Sequence, residues 1–252
     1  MLTLNLVNIL NETLDNFLGG RAKLVQPSEG YRAGIDPIFL AASINPKPKD
    51  KILDVGSGVG VACISLAVRC PEAQIIGLEV QENLVELAQT NIRENKLEKR
   101  VEILNGNLEY PPTLLKENSF DQVMTNPPYF EEKRVKLSPI VGRAQANTET
   151  MDLGTWIKCC LKFLKPKGVF TMIHRTERLS EICAHLGTKV GDLVIYPLWP
   201  GANKPARRVL IQGRKNIKGE PRLARGLILH GDTEKYTPEA EAILRHAQPI
   251  VL

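Results

Sequence analysis

Long apolar runs are missing from this 252-residue chain. No stretch approaches the roughly 18–20 consecutive apolar residues that a bilayer requires, so a spanning helix is not expected. The first residues, Met1-Leu2-Thr3-Leu4-Asn5-Leu6-Val7-Asn8, are apolar but lack a basic leader and soon meet Asn11, Glu12 and Asp15. A signal peptide is therefore not expected, and the cytoplasm is the expected location. Cysteine is scarce: Cys63, Cys70, Cys159, Cys160 and Cys183 form no CxxC and are odd in number. That pattern argues against a disulfide set or a thiolate zinc site and for reduced, mostly buried small hydrophobes. The four histidines, His174, His185, His230 and His246, fall in no recognised site, and no metal is expected. Internal repeats and low-complexity segments are absent too.

What remains is an ordinary globular composition, 43% hydrophobic and 24% charged, of a length that suits one large domain. The net charge of +5 is modest but uneven. Between Gly201 and Gly226 stand Lys204, Arg207, Arg208, Arg214, Lys215, Lys218, Arg222 and Arg225, against the single acid Glu220. Such asymmetry points to a polyanion, with a solvated basic loop as the plainer alternative.

Strand and helix patterns alternate from Lys51 onward. Residues 51–55 read as a buried strand, 56–60 as a glycine-rich turn, and 61–68 as an apolar helix. A second strand runs to Glu79. Leu84, Leu87, Ala88, Asn91 and Ile92 then recur at helical spacing. Strands follow at 101–104, 120–125 and 169–173, with a helix at 152–164 before the last of these and another near 178–186. Residues 193–196 and 208–211, joined by a loop with no helix, read as an antiparallel pair closing the sheet. Upstream, 11–17 read as a helical turn, 24–25 as an edge strand, and Asp36-Pro37 as an N-capped helix start. Downstream, 227–229 read as a short strand and Thr237-Pro238-Glu239-Ala240 as the start of a last helix. The expected fold is a Rossmann-like α/β sheet, mostly parallel with an antiparallel final strand, with helices on both faces. Its expected parts are an extension over 1–29, a catalytic domain over 30–215 and a tail over 216–252 packed on or extending from that domain.

Two stretches carry chemistry. Asp54-Val55-Gly56-Ser57-Gly58-Val59-Gly60 lies between strand and helix, where glycines let a ligand touch the backbone. Glu79 follows Gly60 by 19 residues, at the end of the next strand, where a carboxylate can accept both hydroxyls of a ribose. Nicotinamide enzymes share this layout. An acid opening the loop would repel a pyrophosphate but favours a sulfonium and an ammonium, which tips the cofactor to S-adenosyl-L-methionine. The second stretch is Asn126-Pro127-Pro128-Tyr129. Two prolines cannot continue a ladder, so the strand ends by presenting the Asn oxygen, a proline carbonyl and an aromatic face in one corner. Such a corner suits a flat group bearing an NH2. A rigid turn around a buried tyrosine is the bland alternative.

In this order and spacing, Asp54–Gly60, Glu79 and Asn126–Tyr129 resemble the class I S-adenosylmethionine-dependent methyltransferases that methylate amines. The likeness covers roughly residues 30–215. Gly30-Tyr31-Arg32-Ala33-Gly34-Ile35-Asp36-Pro37 and Pro205-Ala206-Arg207-Arg208-Val209-Leu210-Ile211 resemble, more narrowly, the bacterial N6-methyltransferases of adenine in valine tRNA. The resemblance implies that Asp54, Gly56, Gly58 and Gly60 line the cofactor, that Glu79 holds its ribose, and that Asn107 and Leu108 meet its adenine. The family usually has Asp where Asn107 stands. Asn126 and Asp36 are further cofactor candidates, with helix capping as the alternative for Asp36. Asn126, Pro127, Pro128 and Tyr129 would hold the target amine. Phe130, Arg143, Lys204, Arg207, Arg208 and Arg214 would contact RNA, most naturally a tRNA, although a core role suits Phe130 equally. A protein-glutamine methyltransferase, an rRNA guanine-N2 methyltransferase and a non-catalytic RNA-binding module remain open.

Overall fold

The computed structural model describes residues 12–28, 32–128, 151–231 and 233–252. A hairpin of β1 (Glu12–Phe17) and β2 (Ala22–Pro27) precedes α1 (Asp36–Ala42). Then come β3 (Lys51–Val55), α2 (Val61–Arg69), β4 (Gln74–Glu79), α3 (Glu82–Glu94) and β5 (Val101–Asn105). The second half contributes β6 (Phe120–Thr125), α4 (Leu153–Phe163), β7 (Leu164–Arg175), α5 (Leu179–Leu186), β8 (Val190–Trp199) and β9 (Arg208–Lys215). Last come β10 (Arg222–Leu223), β11 (Leu227–Ile228) and α6 (Pro238–His246).

The main sheet runs β10-β8-β9-β7-β6-β3-β4-β5, with β11 also on β8. All its pairings are parallel except those of β9 with β7 and β8. From β3 the chain winds outward through β4 to β5, then returns to lay β6 on the other side of β3. That reversal opens a crevice at the carboxyl ends of β3 and β6, the place where sheets of this kind bind ligands. Strand β3 buries Ile52, Leu53 and Val55 completely, because helices cover both faces of the sheet. One core lies under α1, α2, α3 and α6, the other under α4 and α5.

The structure corrects three expectations and bears out a fourth. Residues 12–17 form a strand, since their alternation of exposed and half-buried positions has period two and they pair with β2. Pro166-Lys167-Gly168 does not precede a strand but lies inside β7, where a register shift opposite Phe120 and Gln122 and a left-handed Lys167 (φ 66°) absorb the irregularity. Residues 193–196 and 208–211 form the expected antiparallel pair, with β9 on the inside between β7 and β8. Asp36 is not an N-cap. It is the first residue of α1, with Ile35 at the cap position, and its Oδ2 accepts from Arg208 Nε at 2.7 Å.

The hairpin docks on α3 through two side-chain amides. Asn91 Oδ1 accepts from Val25 N (2.6 Å), and Asn91 Nδ2 donates to Val25 O and Val59 O, both at 3.0 Å. Asn95 repeats the pattern on Lys23, accepting from its N–H at 3.0 Å and donating to its carbonyl at 2.7 Å. The amides thus pair with β2 as a neighbouring strand would. Asn91, fully buried, also ties the hairpin to the glycine-rich turn. Asn91→Ala strands one donor and two acceptors. We expect it to lower the unfolding free energy by about 2–4 kcal/mol, read from the urea midpoint. A shift of less than about 0.5 kcal/mol would show that the amide contributes little.

Candidate active site

Three neighbouring strands carry the site. Asp54 pairs with Gly77 of β4 and Met124 of β6, and Val55 pairs with Leu78 and Thr125. Asp54, Glu79 and Asn126 therefore end adjacent strands within about two residues of one level. A hydrogen-bond chain holds the spacing: Trp156 Nε1 donates to Thr125 Oγ1 (3.0 Å), which donates to Val55 O (2.8 Å). The indole also forms the floor of the turn, since a Cβ at Gly56 would lie 3.2 Å from its ring.

The turn itself depends on left-handed glycines at Gly56 (φ 75°), Gly58 (φ 55°) and Gly60 (φ 86°). The N–H groups of Gly56 and Ser57 donate to Leu78 O at 2.9 and 3.1 Å, tying the turn to β4. At Gly58 a Cβ would meet nothing within 4 Å, so the middle of the turn faces open space where a ligand can approach backbone. Glu79 is buried, and each of its oxygens takes one main-chain donor: Gly58 N to Oε2 and Gln81 N to Oε1, both at 2.9 Å. Burial raises its pKa from the ordinary carboxylate value while those donors oppose the shift. Each oxygen keeps a lone pair for a further donor such as a hydroxyl.

Asp54 lies beneath the turn at 2% exposure, and its Oδ2 accepts from Cys63 Sγ at 3.2 Å. Burial, opposed by the thiol bond and assisted by the charge of Glu79, pushes its pKa up to about 7. Beyond β5, Gly106 N donates to Glu79 O at 2.9 Å. Asn107 is half-buried with Oδ1 accepting from Glu109 N at 2.7 Å, and Leu108 is buried beside it. In the corner, Asn126 is half-buried, Pro127 buried and Pro128 exposed. Among the described residues the Oδ1 of Asn126 is buried with no hydrogen-bond partner, an acceptor left open where β6 ends. Tyr129, Phe130 and Arg143 lie outside the described residues.

A family model described as "Methyltransferase small domain" matches residues 35–178, more than half of the chain. The chain belongs to that family. It is a class I methyltransferase by fold and family together. A protein of Porphyromonas gingivalis named tRNA1(Val) (adenine(37)-N6)-methyltransferase is 27% identical over 235 residues, covering 89% of this chain and 91% of that one. A protein of the same name in Vibrio campbellii is 28% identical over 189 residues, covering 73% and 75%. Among solved structures, a "predicted O-methyltransferase" of Agrobacterium tumefaciens superposes with TM-score 0.72 at 21% identity, covering 86% of this chain and 99% of that one. M. jannaschii TYW2 in complex with AdoMet superposes at 0.57 with 17% identity, covering 84% and 90%. At those identities the superpositions establish the fold.

The methyltransferase crevice fits S-adenosylmethionine on its own geometry. The open backbone at Gly58, the carboxylate of Glu79 with lone pairs to spare, and the acid under the turn match an amino-acid chain, a ribose and a cationic centre. Among the described residues no group of three or more His, Cys, Asp or Glu is placed to hold a metal, and no helix is long and apolar enough to cross a membrane. Sequence reasoning missed Cys63, Asn91, Thr125 and Trp156 as parts of the site. Asn91 and Trp156 stand on helical stripes that read as core, and no local signal ties either to the turn.

The basic stretch divides. Lys204 and Arg207 are exposed where β9 begins, on the rim that carries Asn126. Arg208 holds Asp36. Arg214 pairs with Val169 and Gly191, at the opposite rim of the sheet.

A raised carboxyl that must be ionised to attract a cation gives a signed pH dependence. Affinity for S-adenosylmethionine should fall as pH drops through about 7, as Asp54 takes up a proton, approaching tenfold per pH unit. The same group affects the free protein oppositely: its burial opposes folding in full above about pH 7, and the cost falls progressively as pH drops from about 7 toward 3.8. Calorimetric titration between pH 5.5 and 8.5 checks this, with Asp54→Asn expected to be weak and flat. A wild-type affinity independent of pH would remove Asp54 from cofactor binding.

Proposed function

We propose that this methyltransferase transfers a methyl group from S-adenosyl-L-methionine to the exocyclic N6 amine of an adenine in tRNA, near the anticodon. The buried Oδ1 of Asn126, unpartnered among the described residues, at the end of the strand beside the glycine-rich turn, carries the reading. A buried acceptor without a donor costs free energy until a ligand supplies one. An amine does so, while a hydroxyl or carbon acceptor would make poorer use of a corner that offers two oxygens. The name shared by the Porphyromonas and Vibrio relatives supports adenine N6 as the amine and tRNA as its carrier. The enzyme would act where its tRNA is, in the cytoplasm.

Bound S-adenosylmethionine supplies a methyl carbon activated by a cationic sulfur. Gly56, Gly58 and Gly60 would present backbone to it, Glu79 would accept from its ribose, and Asn107 with Leu108 would border its adenine. Asp54 contributes negative charge from beneath the turn. An adenine amine is a poor nucleophile because its lone pair is delocalised into the ring. Asn126 Oδ1 and the Pro127 carbonyl would each accept one of its N–H bonds, drawing the nitrogen out of conjugation and stabilising positive charge as it develops. Pro128 fixes the backbone of the corner, and Tyr129 would stack on the base plane. Fixed placement of the nitrogen supplies most of the rate. The base must leave its stack to reach the corner, which an RNA loop permits more readily than a duplex.

The test is transfer of tritium from labelled S-adenosylmethionine to total bacterial tRNA, with rRNA and a protein extract in parallel. We expect label in tRNA, recovered as N6-methyladenosine after digestion. Asn126→Ala should lower kcat by about 10²–10³-fold while cofactor affinity stays within a few fold. Label confined to protein would convert the reading to a glutamine methyltransferase, and label as N2-methylguanosine in rRNA would convert it to a guanine enzyme.

A further inference from the structure

Strand register and nearby contacts place the cations of the basic stretch along the sheet, with Arg222 midway along the edge, opposite Val194 of β8. Asn126 follows Thr125, which pairs with Met172; Met172 pairs with Ile211, and Ile211 with Ile195. The level of Asn126 on the outer strands is therefore Ile173, Leu210 and Tyr196. Arg208 sits two residues beyond that level, opposite Arg175 and Leu198. Lys204 and Arg207 lie in the loop that follows β8 and leads into β9, so they stand above the same rim. Arg225 joins them from the edge: Ala224 N donates to Ile195 O at 2.8 Å, and Trp199 Nε1 donates to Arg225 O at 3.1 Å. Arg214 lies four residues below the Asn126 level, roughly 13 Å down the sheet. Lys215 Nζ is spent there on Leu161 O, Leu164 O and Asn118 Oδ1. Lys218 follows Ile217, whose carbonyl closes over Gly191 at that far rim.

We infer that the RNA backbone docks on a ledge made by Lys204 and Arg207 of the β8–β9 loop and Arg225 of the β10–β11 turn, and that the far-rim cations of the same stretch are not part of it. The inference rests on the proposed RNA substrate and goes beyond it by naming the face. All three side chains are exposed. Two strand spacings, about 10 Å, separate β6 from β9, and four, about 19 Å, separate it from β10 and β11. A strand whose target base enters the Asn126 corner would therefore run its neighbouring phosphates across this ledge. The backbone beneath it is braced. Thr176 Oγ1 donates to Ala206 O at 2.7 Å, Thr176 N to Arg207 O at 3.3 Å, and Pro200 and Pro205 limit the loop. Two acids of this rim are already taken, Asp36 by Arg208 and Glu181 by Arg178. Glu177 is exposed beside the ledge and opposes it in part. Phosphate contacts of this kind position the substrate and carry no base identity, so the ledge supplies affinity and the corner supplies selectivity.

Two variants of the full-length protein with equal charge change separate the faces. One is the ledge triple Lys204→Gln, Arg207→Gln and Arg225→Gln. The other is the far-rim triple Lys116→Gln, Lys189→Gln and Lys218→Gln, three exposed lysines that stand where the chain approaches β6, enters β8 and leaves β9. Affinity for unmodified total tRNA is measured by anisotropy from 0.05 to 0.3 M salt. The ledge triple should lose at least tenfold in affinity at 0.15 M salt and about 2–3 from the slope of log K against log salt. Its KM for tRNA should rise with kcat at saturation within twofold. The far-rim triple should keep the wild-type slope and stay within about twofold in affinity. Thermal midpoint and S-adenosylmethionine affinity report on folding in both. If wild-type enzyme labels tRNA yet the ledge triple keeps its slope, or the far-rim triple loses as much, the ledge is wrong and the function stands. If wild-type enzyme puts no label in tRNA, the proposed function fails and the ledge with it.

Discussion

A short relay of hydrogen bonds, from the indole of Trp156 through the hydroxyl of Thr125 to the carbonyl of Val55, sets the geometry on which the site depends. Its three members come from α4, β6 and β3. They meet because the chain reverses its direction of winding after β5 and brings β6 back against β3. At such a reversal the two crossover layers diverge, and a crevice opens between strand ends. Without a tie across it, the separation of the glycine turn and the Asn126 corner would follow every adjustment of the two cores. A buried hydroxyl that both donates and accepts holds that distance, and it is fully enclosed, so water does not compete for it.

The site concentrates polar groups that a core normally excludes. Asp54 and Glu79 are both buried, on neighbouring strands, and both are pushed toward their neutral forms by desolvation. The fold answers each differently. Glu79 receives two backbone donors, which keep an anion tolerable and leave its remaining lone pairs directed outward. Among the described residues Asp54 receives only a weak thiol donor. Its charge is thus poorly compensated in the free protein, and a cation above the turn would complete it. Asn126 shows the same logic without charge, as a buried oxygen awaiting a donor. Poorly compensated polar groups that face one crevice mark a place where stability is given up for binding.

The amino-terminal hairpin takes part in this arrangement. Asn91 lies on α3, yet its amide hydrogen-bonds to the hairpin and to the glycine turn together. Gln26, buried in β2, accepts from Ala33 N at 2.8 Å and donates to Asp15 Oδ2 at 2.6 Å, which directs the chain toward α1. Asp36 at the head of α1 then meets Arg208 at the head of β9. Two motifs 172 residues apart in sequence are one ion pair in space, at a partly exposed site where the pair does more to orient than to stabilise.

Much was legible without coordinates, because some physical signals are local. Buried parallel strands read as apolar runs, the glycines at 56, 58 and 60 announce left-handed backbone, and the double proline after Asn126 ends a strand wherever it is placed. From these the alternating α/β order, the turn and the corner follow directly. Other features are decided by what lies across the sheet. Residues 12–17 form a strand because β2, itself held by the amides of α3, offers a partner; weak local pattern alone reads equally as helix. Strand β9 lies between β7 and β8 because antiparallel insertion gives its buried residues two neighbours, which no loop length reveals. Asp36 belongs to Arg208 because a full charge nearby is a better partner than helix-end N–H groups. The eight cations of 201–226 form one cluster in sequence, but β9 carries Arg208 to one rim and Arg214 to the other, since a strand advances about 3.3 Å per residue. The chain by itself thus determined which residues could do the chemistry. The tertiary structure decided which of them share a face, because distance across a sheet depends on pairing and not on order along the chain.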